Sequence, residues 1–277
     1  NHSFPPMASV ARSGGGDATQ GDNHAVYFGL TMSPEGGTGL DKGAVYRLKM
    51  IDGNGQALPV DAWDLKRMFK TDTPPDIQTV TSRPVSGEVN AAKDSRSNIW
   101  GVFGTGRMWS QYDASPCLSI SDSTALKKCQ ENHTHYIYGL KEPLSNGVMT
   151  FAEITNTNDI YDVSNISVYD NGLIEYAKGN GDVDTSRYSA LQSALFSDSY
   201  VGYRRKLATW SITGATGTAG GTQEVCLYQP KITGLTNGQS LAAFTTYEPD
   251  INVCNPEGRS YLHVIDTFTG VPAPYMY

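Results

Sequence analysis

The sequence has 277 residues, of which 18% are charged, and a formal net charge of −7 at pH 7. It contains 29 glycines, and 16 tyrosines against 8 phenylalanines, a composition typical of short strands joined by tight turns. The negative charge argues against a nucleic-acid partner held by phosphate neutralisation and against docking on an anionic membrane. No apolar run approaches the roughly 20 residues that span a bilayer as a helix, so no membrane span is predicted.

The predicted strands begin after a Gly-, Ser- and Asp-rich stretch, residues 1–25, that we interpret as an initial loop. Residues 25–30 and 43–49 crowd apolar and aromatic residues on either side of a glycine-rich loop and predict two strands. Residues 61–69 (DAWDLKRMF) favour one or two helical turns instead.

The strand–turn pattern continues through the middle of the chain. Residues 85–92 and 98–104 predict a second strand pair, because the segment between them has turn chemistry. Residues 135–140 and 148–154 predict a third pair around a Pro-, Asn- and Gly-containing turn.

One convincing helix is predicted, at residues 186–196. Ser186 is its expected N-cap, and Tyr188, Leu191 and Leu195 would share one face. Strand-like runs separated by Gly, Pro or Asn follow the helix at residues 207–212, 224–232, 240–246 and 260–266.

Short strands with frequent turn signals predict an all-β fold: a sandwich, a barrel or a β-propeller of antiparallel four-stranded sheets. An aromatic strand that ends in glycine recurs at residues 26–29, 100–104 and 136–139. Glycine at this point lets neighbouring backbones approach closely, as they do where propeller strands converge near the axis. We therefore predict a β-propeller with one short helix.

The cysteines are Cys117, Cys129, Cys226 and Cys254, and no C-x-x-C motif of a zinc ribbon or a thioredoxin is present. Their even number in a Ser-, Thr- and Asn-rich chain suggests two disulfides. Of the three possible connectivities we favour Cys117–Cys129 with Cys226–Cys254, and four buried free thiols are the alternative. Two disulfides would place the chain in an oxidising compartment, outside the cell, at its surface or in a bacterial periplasm.

Four stretches of the sequence resemble a known family, the type IV pilus biogenesis and tip-adhesin proteins called PilY or PilC, which carry a C-terminal β-propeller. They are VYFG at residues 26–29 with GAVYRL at 43–48, WGVFGTGR at 100–107, YIYGLK at 136–141, and motif positions between 224 and 270 that include FTTYEP and DTFTG. The stretches follow the family's order and cover most of the chain. One departure is Gly202-Tyr203, where the family has a Trp.

The resemblance implies that residues 1–277 are a propeller segment of a longer protein, with blades over residues 26–277. The sequence starts at Asn1 without a hydrophobic leader, as a processed or partial chain would. The implied function is that of a non-catalytic adhesin or pilus-assembly factor, whose propeller is a recognition platform at the cell surface or pilus tip. The implied partners are pilin, pilus-tip proteins or other chains of the filament. No Arg-Gly-Asp tripeptide is present, so integrin-type attachment is not implied.

Two acidic loops are candidate calcium sites. Asn180, Asp182 and Asp184 place oxygen ligands at alternate positions, the spacing with which a loop turns side chains toward one Ca²⁺. Asp17 and Asp22 lie in a second acidic loop, before the first strand. The alternatives are a solvated turn before the helix and a disordered glycine-rich segment. We predict no organic cofactor, and calcium as the metal to test.

Catalytic motifs are lacking in the sequence. His133 and His135 are two residues apart and would share a face of an extended segment, as two metal ligands do. Because no third ligand is in view, we favour two histidines on the protein surface without a metal. There is no Gly-x-Ser-x-Gly elbow and no His-Glu-x-x-His motif. Gly104-Thr105-Gly106 lacks the third glycine of a dinucleotide loop and indicates a tight turn. We therefore predict that the chain is not an enzyme.

Two alternative functions remain open. A secreted quinoprotein-like dehydrogenase would also be a propeller, but its vicinal cysteines and repeated tryptophan motif have no counterpart here. A carbohydrate-binding propeller would need exposed aromatic residues. Trp109 and Tyr112 are the candidates, although packing under the Cys117–Cys129 loop is favoured for them.

Overall fold

The computed structural model describes most of the chain between residues 25 and 274, and the statements below concern these residues: 25–32, 42–50, 57–71, 83–96, 98–108, 117, 120–145, 148–156, 159–177, 183–207, 222–235, 239–250 and 258–274. They contain two α-helices, α1 (Ser123–Asn132) and α2 (Tyr188–Phe196). Neither helix is long and apolar enough to cross a membrane.

Short strands make up most of the regular structure. In chain order they are β1 (Ala25–Met32), β2 (Lys42–Lys49), β3 (Asp64–Lys70), β4 (Asn90–Lys93), β5 (Ile99–Gly104), β6 (Tyr136–Lys141), β7 (Leu144–Ser145), β8 (Val148–Met149), β9 (Ile160–Asp162), β10 (Ile166–Val168), β11 (Leu173–Ala177), β12 (Val183–Arg187), β13 (Gly202–Lys206), β14 (Val225–Cys226), β15 (Lys231–Gly234), β16 (Ser240–Glu248) and β17 (Arg259–Asp266). The prediction of an all-β fold is confirmed at this coarse level.

The described strands do not show the predicted four-stranded blades. The described strands form sheets of three, three, five, four and two members. The five-stranded sheet has the order β4-β5-β6-β13-β9, and its edge strand β9 runs parallel to β13 whereas the other pairs are antiparallel. In the four-stranded sheet β14 and β15 pair with the same strand, β16, which also pairs with β17. A closed propeller is not shown by these sheets.

Two local predictions before residue 155 are also wrong. Residues 61–69 do not form helical turns beyond a single 3-10 turn at Val60–Ala62, because the following segment pairs with β2 as strand β3. Residues 148–154 do not pair with 135–140, because β6 lies between β5 and β13, and β8 pairs with β7.

The helices differ from the prediction at one boundary and in number. Helix α2 begins at Tyr188 with Arg187 as its N-cap, because the expected cap Ser186 belongs to β12. Its predicted apolar face, Tyr188 with Leu191 and Leu195, is buried as expected. Helix α1 was not predicted, since none of its residues is buried and its sequence has no apolar stripe.

The five-stranded sheet is buried on both faces. Alternate residues of a strand face opposite sides of the sheet. On one side, Trp100 and Tyr203 pack in a core with α2, β10, β14 and β16. On the other side, Phe103 and Tyr138 pack in a second core with β1, β2 and β3. The sheet therefore lies between the β1–β2–β3 sheet and the β14–β17 sheet. The flanking sheets keep partly apolar outer faces, where Leu65 is 56% and Leu262 is 67% exposed.

Two glycines of the recurring aromatic motif mark close contacts with residues outside their own sheets. A Cβ at Gly29 in β1 would lie 2.3 Å from Cγ1 of Val85, in the segment that leads into β4. A Cβ at Gly104 in β5 would lie 2.3 Å from Cβ of Cys226 in β14. A side chain at either glycine would overlap these neighbours, so the predicted close approach at these two motifs is confirmed.

A buried ion pair connects the first sheet to the five-stranded one. Arg47 in β2 is 1% exposed, and its Nε lies 3.3 Å from Oε1 of Glu142, which directly follows β6 and is also 1% exposed. Tyr27 donates its hydroxyl hydrogen to the same carboxylate oxygen at 2.8 Å, and Arg47 Nη2 donates to the carbonyl of Ala152 at 2.9 Å. Burial raises the pKa of Glu142, against the lowering effect of Arg47 and the Tyr27 hydrogen bond.

The predicted Cys117–Cys129 disulfide is present, with its Cα atoms 5.9 Å apart, and it ties α1 to the residues before it. The predicted second bridge is not formed, because Cys226 carries a free thiol. Its side chain points into the core beneath Gly104, and Sγ donates weakly to the carbonyl of Tyr228 at 3.6 Å. Burial raises the pKa of this thiol to about 12. Cys254 lies outside the described residues.

Candidate functional site

The predicted calcium loops are largely outside the described residues. This applies to Asp17, Asp22, Asn180 and Asp182. The backbone of Asp184 is described, and it belongs to β12, paired with Tyr176 of β11 in an antiparallel ladder. Calcium binding by these loops stays a prediction.

The two histidines are buried, so the prediction of a surface pair is wrong. His133 ends helix α1 with its Nδ1 2.9 Å from the carbonyl oxygen of Cys129, and Nδ1 of His135 lies 3.4 Å from Oγ1 of Thr105. Burial lowers the pKa of His135 to about 3, and the neighbouring His133 and arginines act in the same direction. A neutral histidine in this position is a structural group over the physiological pH range.

These histidines belong to a polar junction between the five-stranded sheet and the sheet that contains β14. Arg83 Nε donates to the carbonyl of Thr134 at 2.9 Å, and Oγ1 of Thr105 accepts from the backbone N–H of Tyr136 at 2.9 Å. The carbonyl of Thr105 accepts from the backbone N–H of Cys226 at 3.0 Å. The side-chain amide of Gln223 fits between the carbonyl of His133 and the N–H of His135 when its nitrogen faces the carbonyl. The junction therefore joins strand ends.

A carboxylate next to the junction is the best candidate for acid–base chemistry. Glu224 is 1% exposed, and Thr246 Oγ1 and His263 Nε2 both contact its Oε1. In a nucleophilic relay the hydroxyl would instead bond to the histidine, and the carboxylate would orient that histidine from its other nitrogen. Both groups contact the same carboxylate oxygen, so this trio is not arranged as a relay.

An open groove of about 500 Å³ lies beside the free edge of the five-stranded sheet. We call it the tyrosine groove, after Tyr136, Tyr161 and Tyr200 in its lining. The rings of Tyr161 and Tyr200 meet edge to face, with centroids 5.0 Å apart. Its other lining residues are Ile160, Asp162, Ser164, Asn165, Ile166 and Lys206. A concave site with aromatic walls and a few polar groups is the usual form of a small-molecule site.

The polar groups of the tyrosine groove fall into two sets. Asp162 accepts from Arg204 Nε at 2.8 Å and from the backbone N–H of Ser164 at 3.0 Å. The hydroxyl of Ser164 accepts from the backbone N–H of Lys206 at 2.8 Å and donates to Asp162. These contacts fix the shape of the groove. The amide of Asn165 and the ammonium group of Lys206 have no hydrogen-bond partner among the described residues and are available to a ligand.

No sequence pattern pointed directly to this groove. Its residues come from β6, β9, the turn into β10 with its first residue, and β13 with the segment before it. They become neighbours through the parallel pairing of β9 with β13. The aromatic cluster that was predicted, Trp109 with Tyr112, lies outside the described residues. The abundance of tyrosine was the one available hint.

Comparison of the chain with protein-family models, with curated proteins and with solved structures gives no match.

Proposed function

We propose that the chain is a non-catalytic recognition module of a type IV pilus-associated adhesin or pilus-assembly factor. In this proposal the stacked sheets are blades of a propeller that further blades complete. The module would be exported, and it would bind pilin, a pilus-tip protein or another chain of the filament through its loops.

The observation that carries the proposal is the position of the motif glycines. Gly29 and Gly104 belong to two of the stretches that resemble the pilus family, and each closely contacts a residue outside its own sheet, Val85 and Cys226 respectively. Repeated close contacts of this kind are expected of propeller blades, which pack face to face around an axis. The partly apolar outer faces with Leu65 and Leu262 fit additional blades on both sides.

Two further observations support binding rather than turnover at the cell surface. The buried polar groups next to the sheet ends, His135 and Glu224 among them, are engaged in contacts that hold strands together. The Cys117–Cys129 disulfide fits an oxidising compartment.

Co-sedimentation with pili tests the proposal. The tagged chain is mixed with purified type IV pili, with the same preparation from a pilin-deletion strain as the control, and we expect the chain to sediment only with the pili. Equal sedimentation in both samples, or none, would refute the pilus association. A redox cofactor bound to the purified chain would favour the quinoprotein alternative.

A further inference from the structure

We propose that the tyrosine groove binds an acidic sugar, a pyranose that carries a carboxylate, such as a uronic or a sialic acid. This inference goes beyond the pilus association and does not depend on it. It rests on the shape, the aromatic lining and the charge of the groove.

The size and the lining favour a sugar. The volume of about 500 Å³ suits a ligand of one or two rings, within the range of small-molecule sites. Arg83 and Arg204 already lie over the ring of Tyr136, so Tyr161 and Tyr200 are the rings that would pack on the C–H face of a pyranose. Tyrosine hydroxyls can bond to sugar hydroxyls. The lining contains only two aliphatic side chains, Ile160 and Ile166, and both are buried, so an apolar peptide side chain would find no deep pocket.

The polar groups are organised before a ligand arrives. Both carboxylate oxygens of Asp162 already accept hydrogen bonds, from Arg204 and from Ser164. The amide of Asn165 remains as a donor and an acceptor for sugar hydroxyls. A ligand would therefore meet a fixed surface, which reduces the ordering cost of binding.

The charge selects an acidic sugar over a neutral one. Asp162 and Arg204 compensate each other at 2.8 Å, which leaves Lys206 as the uncompensated charge of the lining. A free ammonium group among tyrosines, in a chain of net charge −7, would pair with one carboxylate of the ligand. Arginine forks for a phosphate or for an acidic peptide are lacking here, because Arg204 is committed to Asp162.

The test compares three probes by titration calorimetry on the full chain: 3′-sialyllactose, trigalacturonate and lactose. We expect one or both acidic sugars to bind, and lactose to bind at least about tenfold more weakly, the effect of one lost charge-assisted contact. Preference for sialyllactose or for trigalacturonate identifies the source of the carboxylate. Lactose binding as tightly as both acidic sugars, or no binding of any probe, would overturn the proposal.

Matched variants locate the site. Lys206→Gln should weaken the acidic sugar about tenfold and leave lactose unchanged, and Tyr200→Ala should weaken every probe that binds. Lys231→Gln is the control, because Lys231 is exposed on β15 and is not part of the groove lining. Unchanged affinity in Lys206→Gln would refute the assignment. So would an equal loss in Lys231→Gln. Pilus co-sedimentation of Lys206→Gln reports separately on the pilus association.

Discussion

The buried pair of Arg47 and Glu142 offers a sharp test of how the first two sheets are joined. Arg47→Met keeps most of the aliphatic volume but leaves Glu142 in the core with only the hydroxyl of Tyr27 as its partner. Breaking a buried pair on one side costs about 3–5 kcal/mol. The carboxylate has a raised pKa and can escape part of this penalty by taking up a proton, so we expect the lower end, about 3 kcal/mol at pH 7.

The effect of Glu142→Gln on the free energy of unfolding should have opposite signs in the natural chain and in Arg47→Met. Glu142→Gln in the natural chain strands Arg47 and should destabilise the fold. In Arg47→Met the same change removes a lone buried charge and should restore about 1–2 kcal/mol. The stability that Arg47→Met loses relative to the natural chain should also be smaller at pH 5 than at pH 7, because a carboxyl whose folded pKa is raised destabilises the fold as the pH rises through that pKa.

Urea unfolding followed by tryptophan fluorescence measures each free energy of unfolding. Arg67→Met is the matched control, since Arg67 pairs with Glu153 at 2.6 Å where the side chains are 35% and 29% exposed. A pair that water reaches contributes about 0–1 kcal/mol, so this variant should cost much less than Arg47→Met. A Glu142→Gln effect of the same sign and size in both backgrounds would show that the two side chains are not coupled, and the reasoning would fail.

Four further outcomes follow from the structure. Replacing Cys117 and Cys129 by Ser should cost about 3 kcal/mol, the loop-closure entropy for a separation of 12 residues, and a thermal melt of the variant measures it. Gly104→Ala should cost about 1–3 kcal/mol in urea unfolding, because the new Cβ would overlap Cys226, and a cost near zero would refute the tight contact. The thiol of Cys226 should resist iodoacetamide in the native protein and react with it in urea without reductant, and mass spectrometry follows the modification. A cysteine in a disulfide would react in neither state. His135 should make the fold sensitive to acid, because its folded pKa of about 3 lies below the unfolded value. Its contribution to stability is complete above about pH 6.5 and falls by about 2 kcal/mol by pH 5. His135→Gln should remove this loss.

The sequence was informative where local pattern and tertiary packing agree. Strands β1, β2, β5, β6, β16 and β17 were predicted close to their observed bounds, because apolar and aromatic residues concentrate in them. The buried face of α2 followed from the spacing of Tyr188, Leu191 and Leu195. The motif glycines were interpreted correctly as points of close approach, since glycine is the residue that such contacts require.

The errors arose where context overrides local preference. The segment of β3 has good helix formers, but its pairing with β2 makes it a strand. Helix α1 has no apolar face, and it is held instead by the disulfide and by Asp122, whose side chain accepts from the backbone N–H of Ala125 at 2.7 Å. The tyrosine groove was out of reach, because Tyr136 and Lys206 become neighbours only through the sheet order.

The position of β13 in the five-stranded sheet has a consequence for how the chain folds. Residues 142–201 separate β6 from β13, so β6 is an open edge until the whole intervening segment has been made and the returning strand is in place. Pairings that close long loops are slow to form, and an uncovered strand as aromatic as YIYGLK is prone to pair with a second chain. Mutations in β13 should therefore affect yield and aggregation more strongly than the stability of the finished protein.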